Sequence, residues 1–548
     1  MANNDEGNSV GTQWKRQAVE QKIAENEAHL MAARKAVQAF EEKSYELKEL
    51  LNSTSPIMSS LPIDILSEIF VTMTRNQSPI MNRMPSIQFL IGRICRAWRR
   101  IAWSTPRLWC EVHIEFSKNR WETQKHLLQD WIRRGGNLPL ELSFSVRYNE
   151  QDWEPPPDIF QPIMRSCHRW TKLVFHRPFN KFALVLARRE YQFPSLNAID
   201  IMHDGNLPPS QRYLTNWNFH SATPRLRRLH LPSLMPGPGL NVNWACLTYL
   251  SITFEFGSGR SSKLLGLIPS LKVLHCRVHR TSDHLANLHL PIHHLLHLEE
   301  ISVHGETGLV MSLLSSITAP NLTILKLSMD DGDPSMLWTT TIAELTNRSS
   351  CNLVDLEIGQ DNLTDENQIV GMLRQLSPSV RTFSLDCSLS FTLSNIIIDY
   401  LNLTLRRNNG RQGEHLPNLE SFVYTGVISF SLKAMSRMLK SRVRRSDIAP
   451  SSDVLSKISP PQLGSEETGN SSGVSLPQNF SVNVNYCNTG WFHSKHPNIV
   501  RTFFKEVASL AVDGVILEFD CTGNSGSFEG GDSEEDDLNS ESEEDNSE

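Results

Sequence analysis

The chain has 548 residues, 39% hydrophobic and 8% aromatic, with a mean hydropathy of −0.31; that is long for one core, so several units are expected. Its formal charge is −7, but eleven carboxylates and no cation lie between Glu529 and Glu548, which leaves +4 on the remainder. No run approaches the roughly 20 apolar residues of a membrane helix, the polar opening Met1 to Gly11 has no secretory core, and no basic stripe interleaved with aromatics marks a nucleic-acid binder. Nine cysteines, scattered without a C-x-x-C pair, read as reduced thiols. The expectation is a protein of the cytoplasm, the nucleus or both, with neither membrane nor nucleic acid as partner.

Residues 1–13 are expected to be disordered. From 14 to 52 the spacing predicts one long amphipathic helix of coiled-coil type. Val19, Ile23, Asn26, Leu30, Ala33, Val37, Phe40, Ser44, Leu47 and Leu51 alternate by four and three, with charged residues between them. Such a seam pairs two chains into a homodimer or packs back on the helices that follow. Two polar positions and an alanine weigh against the pairing.

Residues 56–115 carry two ordered blocks. The first is Leu61-Pro62-Ile63-Asp64-Ile65-Leu66-Ser67-Glu68-Ile69-Phe70. Pro62 suits the first turn of a helix, having no amide to donate and a fixed φ. Ile65, Leu66, Ile69 and Phe70 recur at helical period. The second block holds Ile94, Cys95, Trp98, Ile101 and Ala102 as an apolar stripe, with Arg93, Arg96, Arg99 and Arg100 on the other faces, then Pro106-Arg107-Leu108-Trp109 as an aromatic anchor.

This order of motifs resembles the F-box, with a long inserted spacer (Arg75 to Met84) of the kind found in fungal members. The resemblance implies docking on the Skp-type adaptor of a cullin–RING ubiquitin ligase, through or around Leu61, Pro62, Ile65, Leu66, Ile69, Phe70, Ile94, Cys95, Trp98, Ile101, Leu108 and Trp109. It implies no catalytic residue in this chain.

Residues 116–165 read as a connecting region. Across 166–430 a unit close to P-x-L-x-x-L-x-L recurs, as in Pro194 to Ile201 and Pro224 to Leu231. Further copies centre on Leu247/Leu250/Ile252, Leu271/Leu274/Cys276, Leu298/Ile301/Val303, Leu322/Leu325/Leu327, Leu353/Leu356/Ile358, Val380/Phe383/Leu385 and Leu419/Phe422/Tyr424, with a degenerate one at Trp170/Leu173/Phe175. The step averages about 28 residues, as in leucine-rich repeats. Each x-L-x-L-x strand points its apolar row one way and buries it only against its neighbours. Residues 309–317 and 369–376 read as intervening helices. The fold class expected is α/β: a short all-α F-box preceded by a long helix, then an irregular leucine-rich-repeat solenoid with a disordered acidic tail. Residues 431–477 read as a basic run and a disordered loop, 478–521 as a strand–helix–strand cap, and 522–548 as the tail.

The sequence carries no phosphate-binding loop, dinucleotide fingerprint, nucleophile elbow or zincin motif. His275, His279, His284, His289, His293, His294, His297 and His304 crowd together, but across strand, connector and next strand and without zinc-finger spacing, so no metal and no cofactor is expected. The residue between the last two apolar positions of each unit should project from the strand: Asp200, His230, Ser251, His275, Ser302, Lys326, Glu357 and Ser384, preceded two residues earlier by Arg228, Tyr249, Glu300, Asp355 and Thr382. His230, Tyr249, His275, Lys326, Asp355 and Glu357 are the candidate substrate-binding residues.

Two functional readings follow, neither of them enzymatic. The chain is either the substrate-recognition subunit of an SCF-type ubiquitin ligase or a leucine-rich-repeat scaffold without a ubiquitin role.

Overall fold

The structure is a computed structural model. It describes residues 6–54, 60–75, 87–147, 150, 153–176, 191–202, 217–218, 223–231, 240–256, 260–280, 291–330, 338–360, 365–376, 379–387, 391–403, 416–442, 480–486, 497–511 and 515–521. The spacer after Arg75, the Ser/Pro/Gly-rich segment 446–473, the acidic tail, His284 and His289 lie outside the described residues. The chain divides into two compact units, Met1–Leu226 with Gly237–Asn243 and Arg227–Pro236 with Trp244–Glu548. Its architecture is α/β, with a long N-terminal helix and many parallel strands.

The first unit opens with helix α1 (Glu6–Ser53), which starts eight residues before the expected Trp14. Once a long helix exists, each further residue gains a hydrogen bond without a new nucleation cost. Three short helices follow: α2 (Ile63–Arg75), α3 (Ile87–Ile94) and α4 (Arg96–Ser104), closed by a 3₁₀ turn at Pro106–Trp109.

Residues 116–165, expected as a connection, take part in a parallel sheet. Strand β1 (Glu111–Phe116), helix α5 (Trp121–Arg134) and strand β2 (Leu140–Val146) form a strand–helix–strand unit. Strands β3 (Trp170–Phe175) and β4 (Ala198–Ile201) extend it, each parallel to the one before. The cause is alternation: Val112, Ile114 and Phe116 are buried while His113 and Glu115 face out. Phe116, Phe144 and Phe175 then line up beneath successive strands, with ring centroids 5.7 and 5.9 Å apart.

The second unit repeats that scheme. Its strands are β5 (Arg228–Leu231), β6 (Tyr249–Phe256), β7 (Val273–Arg280), β8 (Glu300–Glu306), β9 (Ile324–Asp330), β10 (Asp355–Gln360), β11 (Thr382–Cys387), β12 (Ser421–Ile428), β13 (Phe480–Tyr486) and β14 (Val515–Cys521). Each pairs in parallel with the next in chain order. Helices α6 (Arg260–Leu265), α7 (Thr307–Ser315), α8 (Trp338–Ser349), α9 (Glu366–Leu376), α10 (Asn395–Tyr400), α11 (Leu432–Arg442) and α12 (Pro497–Ala511) fall between strands. From α7 onward each touches the next. The leucines of the repeat unit are buried.

Long polar side chains satisfy helix ends across neighbouring repeats, which the leucine pattern does not announce. Arg348 on α8 donates to the Leu314 carbonyl in the last turn of α7 and to the Ile317 carbonyl just beyond it. Glu366 on α9 accepts from the Ser394 and Ile397 amides that open α10. Arg442, in the basic run, is buried at the end of α11, where its guanidinium donates to the Leu401 and Leu416 carbonyls at 2.8–3.0 Å. One residue of β8 has to be glycine: Gly305 sits at φ +143°, where a Cβ would stand 2.0 Å from the Val278 carbonyl oxygen of β7.

Candidate protein-docking surfaces

Two surfaces present side chains that the fold does not consume. The first is on α2. Leu66, Phe70 and Val71 turn inward, with Leu66 2% and Phe70 0% exposed. Phe70 packs on Trp98 of α4 with ring centroids 4.9 Å apart. Ile65, Ile69 and Met73, spaced i, i+4 and i+8, line another face and are 48%, 41% and 42% exposed. Ile63 and Ile94 are exposed as well. Aliphatic side chains ranged along one helix face in water favour a partner that covers them.

The helix is held firmly behind that stripe. Glu68 accepts from Arg107 at 2.5 Å, and Thr105 donates to Ser67, tying α2 to the turn after α4. Cys95 is the N-cap of α4, its Sγ accepting from the Trp98 amide at 3.4 Å. Trp109 donates to the Ala102 carbonyl, and its ring meets Trp131 of α5 edge-on at 5.5 Å.

The twelve residues named for adaptor docking therefore divide. Pro62, Ile65, Ile69 and Ile94 are exposed; Leu61, Cys95 and Trp98 are half-buried. Leu66, Phe70, Ile101, Leu108 and Trp109 are interior and shape the module without offering surface to a partner. The physical reason is width. Positions 65, 66, 69 and 70 span too broad an arc for one face, so Trp98 covers one side and leaves the other bare. Ile63 and Met73 belong to the exposed side and were not singled out. Continuing the four-residue spacing from Ile69 reaches Met73.

The second surface is the strand face of the second unit. His230, Ser251, His275, Ser302, Lys326, Glu357 and Ser384 stand in one cross-strand row, register partner to register partner. Arg228, Tyr249, Val273, Glu300, Ile324, Asp355 and Thr382 form the row beside it. All six candidate substrate-binding residues lie on these rows. Asp200 is on β4 in the first unit, opposite Val174 and ion-paired to Lys172 at 3.2 Å.

Polar groups on this face are linked across strands. The Arg228 guanidinium lies 4.3 Å from the Tyr249 ring centroid. The Tyr249 hydroxyl meets His275 Nδ1 at 3.2 Å, and His275 Nε2 meets Glu300 at 3.1 Å. Nε2 donates to the Glu300 carboxylate, which can only accept, and Nδ1 meets a hydroxyl that can donate or accept. Lys326 stands 3.5 Å from Glu357. Burial raises the Asp355 carboxyl above its ordinary value; Lys326 opposes that shift, while Glu357 and Glu300 add to it.

A third row was missed, two residues further along each strand. Arg277 donates to His304 Nε2 at 2.9 Å, and His304 Nδ1 meets Ser328 at 2.8 Å. The strands continue past L-x-L, and carrying the alternation one step further finds these residues. Cys276 lies beneath the sheet, where burial pushes its thiol up. Among the described residues, no three His, Cys, Asp or Glu side chains converge as metal ligands. Nor, among them, is any helix long and apolar enough to cross a membrane.

No family model matches the chain, and no curated protein does. Several solved structures are similar at low level, and two of them follow. One is a Bacteroides fragilis protein, 12% identical, with a TM-score of 0.29 over 57% of this chain and 74% of that one. The other is the Rad7 and Elc1 complex of yeast, 12% identical, with a TM-score of 0.28 over 76% of this chain and 94% of that one.

Proposed function

We propose that this chain is the substrate-recognition subunit of an SCF-type ubiquitin ligase. The α2–α4 module is its F-box and docks on the Skp-type adaptor. The parallel strand–helix array is an irregular leucine-rich-repeat solenoid, and its strand face holds the target. The chain is not itself an enzyme, has no cofactor, and leaves ubiquitin transfer to the RING subunit and the conjugating enzyme. Its contribution is proximity: a captured target keeps its lysines near the thioester at high effective concentration.

The observation that carries this reading is the bare aliphatic stripe Ile65–Ile69–Met73 on a helix anchored from behind by Phe70 and Trp98. The motif order around it is that of an F-box, and the stripe is what an adaptor groove would cover. The test is co-purification of adaptor and cullin with the full chain, against an Ile65→Glu, Ile69→Glu variant. Capture by the parent and loss in the variant, with unfolding unchanged, support the reading. A folded parent that ignores the adaptor rejects it and favours a scaffold without a ubiquitin role.

A further inference from the structure

We propose that α1 is a dimerisation element, pairing with α1 of a second copy of this chain as a parallel, in-register coiled coil. The inference does not rest on the ligase reading. Every residue from Trp14 to Lys48 is exposed, although α1 runs 48 residues, about 72 Å of helix. Along the seam Val19, Ile23, Leu30, Val37, Phe40, Leu47 and Leu51 are 50–77% exposed. The ion pair Arg96–Glu49 at 2.9 Å ties the far end to α4, well past the middle of the seam. A helix of this length normally draws its stability from burying one face.

The heptad assigns Ile23, Leu30, Val37, Ser44 and Leu51 to a, and Val19, Asn26, Ala33, Phe40 and Leu47 to d. Phe40, Lys43, Ser44, Leu47, Lys48 and Leu51 line a shallow groove on the helix surface. These are d, g, a, d, e and a positions, the set that receives a partner's knobs. The bulky Phe40 is flanked in the seam by the smaller Val37 and Ser44, which leaves room for two phenyl rings in one layer.

Charge selects the occupant and its direction. In a parallel pair each g residue faces the e residue five places on in the partner. Lys15 then meets Glu20, and Lys22 meets Glu27, twice each by symmetry. Lys43 faces Lys48 and His29 faces Arg34; Lys43 is bound within its own chain to Glu46 at 3.0 Å and Lys48 lies over Tyr45, just as Glu20 already holds Arg16 at 2.9 Å, so Lys22–Glu27 is the cross-chain pair with no intrachain ion pair competing for it among the described residues. An antiparallel pair that matches Asn26 with Ser44 gains Glu20 against Lys48 but places Glu27 against Glu41 and Arg34 against Arg34, so its like-charged contacts outnumber its opposite ones. Register follows from the polar layers. In register, Asn26 meets Asn26 and Ser44 meets Ser44; a slip of one heptad sets Asn26 against Ala33 and Ser44 against Val37, leaving both polar groups unpaired.

The full-length chain, 62.2 kDa, should run as a species of twice that mass in light scattering. Leu30→Glu with Val37→Glu should raise the dimer dissociation constant at least tenfold, without changing the unfolding of the α2–α4 module. Lys15→Glu with Lys22→Glu should weaken the dimer, and adding Glu20→Lys with Glu27→Lys should restore it. Asn26→Cys chains should cross-link to one another through that position, as only a parallel in-register pair allows. A parent chain that stays single at tens of micromolar overturns the proposal, and so does a dimer indifferent to the seam substitutions. A dimer that forms without the position-26 cross-link overturns the parallel register.

Discussion

Phe70 and Trp98 lie 28 residues apart in sequence and meet with ring centroids 4.9 Å apart at a tilt of 48°. That contact decides which half of the apolar band on α2 is core and which is surface. Phe70→Ala should destabilise the helical module by about 3–5 kcal/mol, as for other buried aromatics. Ile65→Asp and Ile69→Asp, on the bare face, should shift stability by only about 0.5 kcal/mol. Denaturant titration of the full chain, followed by the fluorescence of Trp98 and Trp109, separates the two. Equal losses at 65 and 70 would mean that the outer face is covered.

Gly305 on β8 approaches the Val278 carbonyl of β7 more closely than any side chain permits. Gly305→Ala should cost about 1–3 kcal/mol for the backbone conformation alone, and more for pushing apart two paired strands. The outcome should be earlier unfolding and faster proteolysis within the second unit. A control at Gly371, where a Cβ meets nothing within 4 Å on α9, should be neutral or stabilising. If both alanines behave alike, the close approach is not real.

Much of this was legible in the chain and some was not, for reasons tied to particular residues. Leu325 and Leu327 bracket Lys326, and the period of two places the lysine outward without further information. The same alternation runs through Val112, Ile114 and Phe116, but Val112 stands four residues after the Leu of Pro106-Arg107-Leu108 where the repeat has three, and that Pro-x-Leu reads as the close of the helical module, so the strand is hidden at its border with the connection. The broad band on α2 shows a different limit. Periodicity reports that Ile65, Leu66, Ile69 and Phe70 share a side, while the choice between core and surface is made by Trp98 from another helix. Helix-end partners such as Arg348, Glu366 and Arg442 leave no periodic trace, since each acts on backbone in a neighbouring repeat.

Among those ties Arg442 is the most buried charged group. Burial pulls its guanidinium down from its ordinary value, and Tyr400 opposes the shift. Three donated hydrogen bonds to Leu401 and Leu416 and a face-on approach to Phe480 compensate the desolvation. Arg442→Ala strips the Leu401 carbonyl of both its guanidinium donors, at roughly 1–3 kcal/mol, while the Leu416 carbonyl keeps its bond from the Leu419 amide. Hydrogen exchange should rise at the end of α10, which Leu401 caps, and in α11, which carries Arg442, and remain unchanged in β6–β9. Arg442→Lys, which cannot reach both carbonyls with a fork, should recover only part of the loss. Full recovery by lysine would show that charge alone matters there.

Asp355 carries a pH signature whose sign follows from its surroundings. Its folded pKa is raised by burial, with Glu357 and Glu300 adding and Lys326 opposing. The fold therefore prefers the protonated acid. The corresponding stabilisation is complete below the unfolded carboxylate value of about 4 and is lost as the pH climbs through the raised one. Asp355→Asn, neutral throughout, should then unfold at a higher denaturant midpoint than the parent at pH 7, and the advantage should shrink as the pH is lowered toward 4. Lys326→Met, which removes the opposing cation, should widen the gap between parent and Asp355→Asn at pH 7. Target capture should move the other way: a strand face that uses Asp355 should bind less well once the carboxylate is gone, even as the fold becomes more stable. An asparagine variant that is less stable at pH 7, or equally stable at both pH values, would contradict this account of the site.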